Sequence, residues 1–273
     1  MISLFRNWTL ILLAVASIAA EQATSQPAPD DSFRAIVLAK GPLFLHLPGV
    51  GGYRGIDRNM LAGLRDAGLT GNFVVYDWTE QHQGIAALQS YQKNHQEAQR
   101  VADLIAAHAE ADPGSPIYLT AHSGGCGIAV WALEKLPANV KVQTVLLMAP
   151  ALSPKYDLSA ALRHVTGKTY VFSSTLDSAI LNLGTRIFGT IDGVQTIAAG
   201  FSGFVQPVGA DPLMYQKVIA CPYQRDWMKF NDYGEHIGAM SRPFAAAILA
   251  PLIGSAQAPT TQPDNVQTRN LSK

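Results

Sequence analysis

Short apolar runs alternate with longer amphipathic stretches through most of this chain, and the alternation sets the first expectation. Leu43 to Leu47 and Phe73 to Tyr76 are compact apolar runs, as are Ile117 to Ala121, Val142 to Met148 and Lys168 to Ser173; each reads as a strand. Ala35 to Ala39, cut from Leu43 by Gly41-Pro42, reads as a further strand beside it. Between these runs the apolar period lengthens. Met60, Leu61 and Leu64 give a helix over about 57–67 closed by Gly68. A long helical stretch covers about 85–109, with Asp112-Pro113-Gly114 as its stop. A helix follows Ser123 at once and ends before Pro137, a short one fits 158–165, and a last one fits about 243–252. Strand and helix in alternation predict an α/β domain with a mostly parallel sheet covered on both faces.

Two segments depart from this pattern. Residues 178–214 are rich in Gly and apolar residues without a clean period. A lid or pocket insertion near the site and a plain crossover covering the sheet both remain open there. The ends are different again. Arg6, the apolar run Trp8 to Ala16 and the small residues Ser17 to Ala20 read as an export signal over 1–20. A polar, Pro-bearing linker follows over 21–32, the α/β domain is expected over 33–254, and a Ser/Thr/Gln/Pro-rich tail over 255–273. The expected destination is the periplasm or the medium, with no stable membrane span after signal cleavage.

Composition narrows the function classes. Lys+Arg and Asp+Glu both number 20, so net charge is zero and no basic stripe favours nucleic acid. At 48% apolar and 15% charged residues, the chain has the material for a buried core. The two cysteines, Cys126 and Cys221, form no metal-ligand spacing, and no cofactor or metal is expected. Export makes a disulfide between them permissible, with two buried free thiols as the default.

The most informative stretch is Ala121-His122-Ser123-Gly124-Gly125, between a strand and a helix. A serine at the apex of such a turn is the layout of a nucleophile elbow, which leaves no room for side chains two positions either side. Here Ala121 and Gly125 fill those places, and the sequence resembles the α/β-hydrolase family from about Phe33 to Leu252. The resemblance implies that fold, a Ser–acid–His order along the chain, and an ester- or lipid-cleaving serine hydrolase. Ser123 is then the nucleophile and His236, in a Gly-bearing loop before the last helix, the base. Asp177, shortly after a strand, is the acid, with Asp157 as its rival and Asp192 and Asp211 behind. His164 is the other histidine downstream of Ser123. The family's oxyanion hole maps onto the Gly124 N–H and onto Pro48-Gly49-Val50-Gly51-Gly52, where Val50 is the donor in the direct overlay. Pro48 has no N–H, and Gly49 and Gly51 remain alternatives. His122 is given a packing role, His46 a structural hydrogen bond, and His82, His95 and His108 a solvated helix face. Trp78 and Tyr53 flank the pocket loops, as pocket lining or as core. An amidase, peptidase or acyltransferase on the same scaffold, and a non-catalytic binding protein, are the rival functions.

Overall fold

The computed structural model describes residue 35 and residues 37–79, 85–177 and 189–254. The expected signal, linker and tail lie outside these residues, as do His82 and most of the first third of 178–214.

Six strands form one sheet in the order β2-β1-β3-β4-β5-β6, with every neighbouring pair parallel. They are β1 (Leu43–Leu47), β2 (Asn72–Val75), β3 (Ile117–His122), β4 (Thr144–Met148), β5 (Thr169–Ser173) and β6 (Val218–Pro222). β1, β3 and β4 are buried along their whole length, as a parallel sheet covered on both faces requires.

The pleat divides the strand residues between two layers. Phe44, Tyr118, Leu146, Met148 and Phe172 point to one face. There they meet helix α1 (Gly55–Asp66) through Met60, Leu61 and Leu64, and the C-terminal helical stretch through Phe244, Leu249 and Ile253. Phe44 stacks between Phe73 and Tyr118 at ring separations of 4.4 and 4.9 Å, each such pair adding about 0.5–1.5 kcal/mol beyond burial. The opposite face carries α2 (Tyr91–Ala111) and α3 (Gly125–Glu134), which pack on each other. α3 follows β3 directly and is buried almost all round, so it belongs to the core of the layer.

Several expectations need correction or refinement. Of Ala35 to Ala39, the described residues, 35 and 37–39, do not pair as a strand; residues 35 and 37 are helical, and Val37 is buried with its carbonyl 2.6 Å from His108 Nδ1. His108 is therefore a fully buried bridge to that segment, not a solvated residue. The long helix is broken at Ser90, whose hydroxyl donates to the Ala86 carbonyl, leaving a short helix Ile85–Gln89 before α2. The last helix (α4, 242–254) starts at the Ser241 cap, whose hydroxyl accepts from the Phe244 N–H, and widens to a π-turn over Ala245–Leu249. The described part of 178–214 belongs to the β5–β6 crossover, with short helical turns at Ala199–Ser202 and Pro212–Tyr215. Both cysteines are free; the buried Cys126 thiol points at the Met148 carbonyl.

Candidate active site

The strand order reverses direction at β1. The chain leaves β1 for β2 on one side and returns to β3 on the other, so the loops after β1 and β3 flank a crevice at the carboxyl ends of the strands. This is where open α/β sheets bind ligands. The β1 loop is Pro48 to Gly52, and the β3 loop is the Ser123 turn.

Ser123 has φ of 53°, in the left-handed region that non-glycine residues avoid. The conformation is held from three sides. Its N–H donates to the Met148 carbonyl (2.9 Å), and its carbonyl accepts from the Cys126 and Ala151 N–H groups, both at 3.1 Å. Gly125 sits where a side chain would run into the Leu47 and Pro48 carbonyls, which explains the small residue there. Ala121 meets the same demand on the strand side, fully buried. Ala149, at the end of the neighbouring β4, has φ of 49° and is a second strained residue beside the turn, with no signature in the sequence pattern.

Three loops then converge on the serine. The Ser123 hydroxyl donates to His236 Nε2 at 3.0 Å, and His236 Nδ1–H donates to Asp177 Oδ2 at 2.5 Å. The Asp177 side chain is 4% exposed and that of His236 12%, so the pair is sheltered while the imidazole keeps an opening. Asp177 lies in the turn after β5, with its N–H on the Ser174 carbonyl. His236 lies in the loop after β6, shaped by Asn231 and Gly234 at positive φ. A Cβ on Gly234 would press on Leu176 and Ser174, so that loop lies flush against the acid's turn. Asp232, buried in the same loop, accepts from the Gly234 N–H at 2.9 Å. Burial pushes its carboxyl up to about 6, with the neighbouring charge of Glu235 adding to the rise and the Gly234 hydrogen bond opposing it.

The other candidate acids are committed elsewhere. Asp157 Oδ1 accepts from the Ser159 N–H, Asp192 Oδ1 from the Ser153 N–H, and Asp211 Oδ1 from the Leu213 N–H. Asp157 and Asp211 cap the turns that follow them, and Asp192 ties two distant loops together. His164 reaches the Val140 carbonyl, not the site.

The glycine loop lies directly over the serine. A Cβ on Gly49 would stand 3.3 Å from Ser123 Cβ, and one on Gly124 would stand 2.7 Å from Val50 Cγ1. Trp78 donates Nε1–H to the Pro48 carbonyl (2.7 Å), holding this loop, and its ring also faces Gly124. Trp78 is thus buried and structural while touching the pocket; Tyr53 is exposed, with its N–H on Asp77. Among the described residues, no acceptor engages the Val50 or Gly124 N–H. Leu88, Ala149, Ala151 and Phe201 give the neighbourhood an apolar wall.

Beneath the site lies a buried polar cluster that the sequence pattern signalled only as a single histidine. His46 Nε2–H donates to Asp57 Oδ1 at 2.9 Å, and its Nδ1 lies 2.9 Å from Thr120 Oγ1. Burial alone would raise the Asp57 carboxyl, but the bond and charge of His46 and the Arg54 N–H hold it below the ordinary range. The pair ties α1 to β1 and β3 under the crevice. No group of three metal-ligating side chains occurs among the described residues. No described helix is long and apolar enough to cross a membrane.

Strand order, the strained turn after β3 and the loop positions together constitute the α/β-hydrolase fold. No family model and no curated protein sequence matches the chain. Among solved structures it is similar to lipase B of Aspergillus fumigatus, at 16% identity and a TM-score of 0.48 over 83% of this chain. It spans 57% of that lipase's length. It is also similar to a hydrolase from Oleispira antarctica (13% identity, TM-score 0.39, 81% of this chain and 93% of that one). A third likeness is to the NocB thioesterase domain, solved as a covalent fluorophosphonate complex (14%, 0.41, 81% and 96%). These likenesses concern the fold and carry no argument about the reaction.

Proposed function

We propose that this chain is an exported serine hydrolase that cleaves carboxylic esters through Ser123, His236 and Asp177. The observation that supports this most directly is the unbroken hydrogen-bond path from Ser123 Oγ through the imidazole to a buried carboxylate. A neutral hydroxyl is a weak nucleophile, and this path supplies what it lacks. Asp177 holds the proton on His236 Nδ1, which leaves the Nε2 lone pair facing the hydroxyl. As Ser123 Oγ attacks the ester carbonyl, Nε2 takes its proton, and the imidazolium forms against the Asp177 carboxylate.

The carbonyl oxygen then becomes an oxyanion beside the glycine loop. Gly124 and Val50 are its proposed N–H donors, each worth on the order of 3 kcal/mol. Collapse of the tetrahedral species breaks the C–O bond, and His236 gives its proton to the leaving alcohol. Water, deprotonated by the same imidazole, then attacks the acyl-serine and releases the acid. Every step is carried by this chain's own groups. The apolar wall of Leu88, Ala149 and Phe201 favours a small-molecule ester or a lipid as substrate.

The test is turnover of p-nitrophenyl esters of graded acyl length, with matched anilides alongside. Wild type should hydrolyse esters in preference to anilides, and Ser123→Ala should abolish turnover without lowering the melting temperature. Equal rates for the two proteins would overturn the proposal.

A further inference from the structure

His122 stands in the variable place before the nucleophile, where the sequence assigns it only packing. Its contacts say more. The ring is on the same sheet face as His46 and Thr120, and it reaches past the serine to the base loop. Its Nε2–H donates to the main-chain carbonyl of His236 at 2.9 Å, and the two imidazoles lie 4.8 Å apart at a tilt of 51°. On its other side, a Cβ on Gly49 would stand 3.0 Å from His122 Nδ1, so the ring is also in contact with the glycine loop. One side chain therefore touches the loops carrying the base and a candidate oxyanion donor, and it is covalently next to the nucleophile.

We infer that His122 is a positioning residue, which pins the carbonyl of His236 and thereby sets the direction of the catalytic imidazole; this rests on the proposed triad. The His236 loop needs such a brace. It runs between the short helical turns Arg225–Phe230 and Gly238–Met240, outside any ladder; beyond the bonds of the His236 ring tip to Ser123 and Asp177, its bonds are local: Asp232 to Trp227 and Gly234, and Glu235 to Tyr233 and Gly238. The local bonds shape the loop but do not tie its main chain to the serine's strand. The His122 bond does, across 114 residues of sequence.

The ring is suited to the task because it stays neutral. Burial, then the neighbouring His236, push its pKa down to about 3. A neutral ring protonated on Nε2 donates one directed hydrogen bond and places no cation beside an imidazole that must itself become charged. A lysine or arginine there would donate equally well and oppose that charge.

The experiment compares His122→Leu, which keeps the apolar bulk but has no donor, with His122→Gln, whose amide can reach the same carbonyl. Active sites are first titrated with a fluorophosphonate, so turnover of p-nitrophenyl butyrate is expressed per competent serine. The Leu variant should lose about 30-fold in kcat per titrated site with KM changed less than about threefold, as for a displaced catalytic group. The Gln variant should recover to within about threefold of wild type. A purely structural role would lower the number of titratable sites and leave turnover per site intact.

Hydrogen exchange of the 232–238 amides, measured on a Ser123→Ala background, reads the brace without any activity. It should quicken in the Leu variant and not in the Gln variant. Unchanged exchange, or per-site turnover within twofold of wild type, overturns the inference. A wild type that the fluorophosphonate does not label overturns the proposed function instead, and exchange still decides the brace. Should the Leu variant not fold, His122→Asn, one methylene too short to reach, takes its place against Gln.

Discussion

Replacing Asp177 with Asn tests the electrostatic half of the site while leaving its shape alone. The two side chains have the same volume, and Asp177 is 4% exposed at the side chain, so no cavity opens and no new surface is buried. Two things are lost. A carboxylate can only accept, and so it dictates that Nδ1 of His236 carries the proton. An amide can turn its NH2 toward the ring, which moves the proton to Nε2 and presents Ser123 with an N–H instead of a lone pair. The second loss is the attraction between carboxylate and imidazolium as the serine gives up its proton. At a charge separation of about 4 Å and an effective dielectric of 20 that attraction is about 4 kcal/mol, or roughly three decades in rate. The tautomer error adds to it, so kcat for an ester should fall about 10⁴-fold. The assay is steady-state hydrolysis of p-nitrophenyl butyrate, with Asp157→Asn as a control that should stay within about twofold. Asp157 is bonded to Ser159 and Tyr215, not to His236. A fall of less than tenfold in a folded Asp177→Asn protein, or an equal fall in the control, would refute the reasoning.

Two further outcomes follow from residues around the site. The Asp232 carboxyl is raised by burial to about 6 in the folded protein. A carboxyl raised on folding contributes stability that is present below its unfolded value of about 3.8 and lost as pH climbs through 6. Asp232→Asn keeps the acceptor for Gly234 and removes the charge, so it should raise the melting temperature by about 5 °C or more at pH 7.5 and by only about 1–2 °C at pH 4, as thermal unfolding at the two pH values would show. An equal offset at both would contradict the assignment. Gly125→Ala should cost at least about 2 kcal/mol in urea unfolding, because the new methyl meets main-chain carbonyls that cannot turn aside. Gly55→Ala, with only the end of the flexible Arg58 side chain nearby, should cost under about 0.5 kcal/mol.

Much of the fold was legible because its strands are buried on both faces. Leu43–Leu47 and Thr144–Met148 are largely apolar, broken only by the buried His46 and Thr144, for that reason, and α1 shows its stripe because one side meets solvent. Local chemistry was less legible. Ala35 to Ala39 has the composition of a strand, but the Val37 carbonyl is bonded to a distant buried histidine, His108, a contact no local pattern registers. Ser90 breaks a helix by a hydroxyl–carbonyl bond that no apolar period registers. The acid, the base and the glycine loop near Ser123 could be proposed because the family resemblance implies their chain order and their place in loops that follow strands. Of the polar groups supporting them, only His46 was expected to make a structural hydrogen bond, and its partners could not be named. His46, Asp57 and Thr120 are far apart in sequence and read singly as ordinary residues, and the strain at Ala149 leaves no trace in composition.

The central claim is that His236 turns Ser123 into a nucleophile. Treating the protein with a fluorophosphonate and mapping the adduct by peptide mass spectrometry tests it most directly. One adduct is expected, on Ser123, with a labelling rate that collapses in His236→Ala. Labelling on another serine, no labelling at all, or an undiminished rate without the imidazole would contradict it.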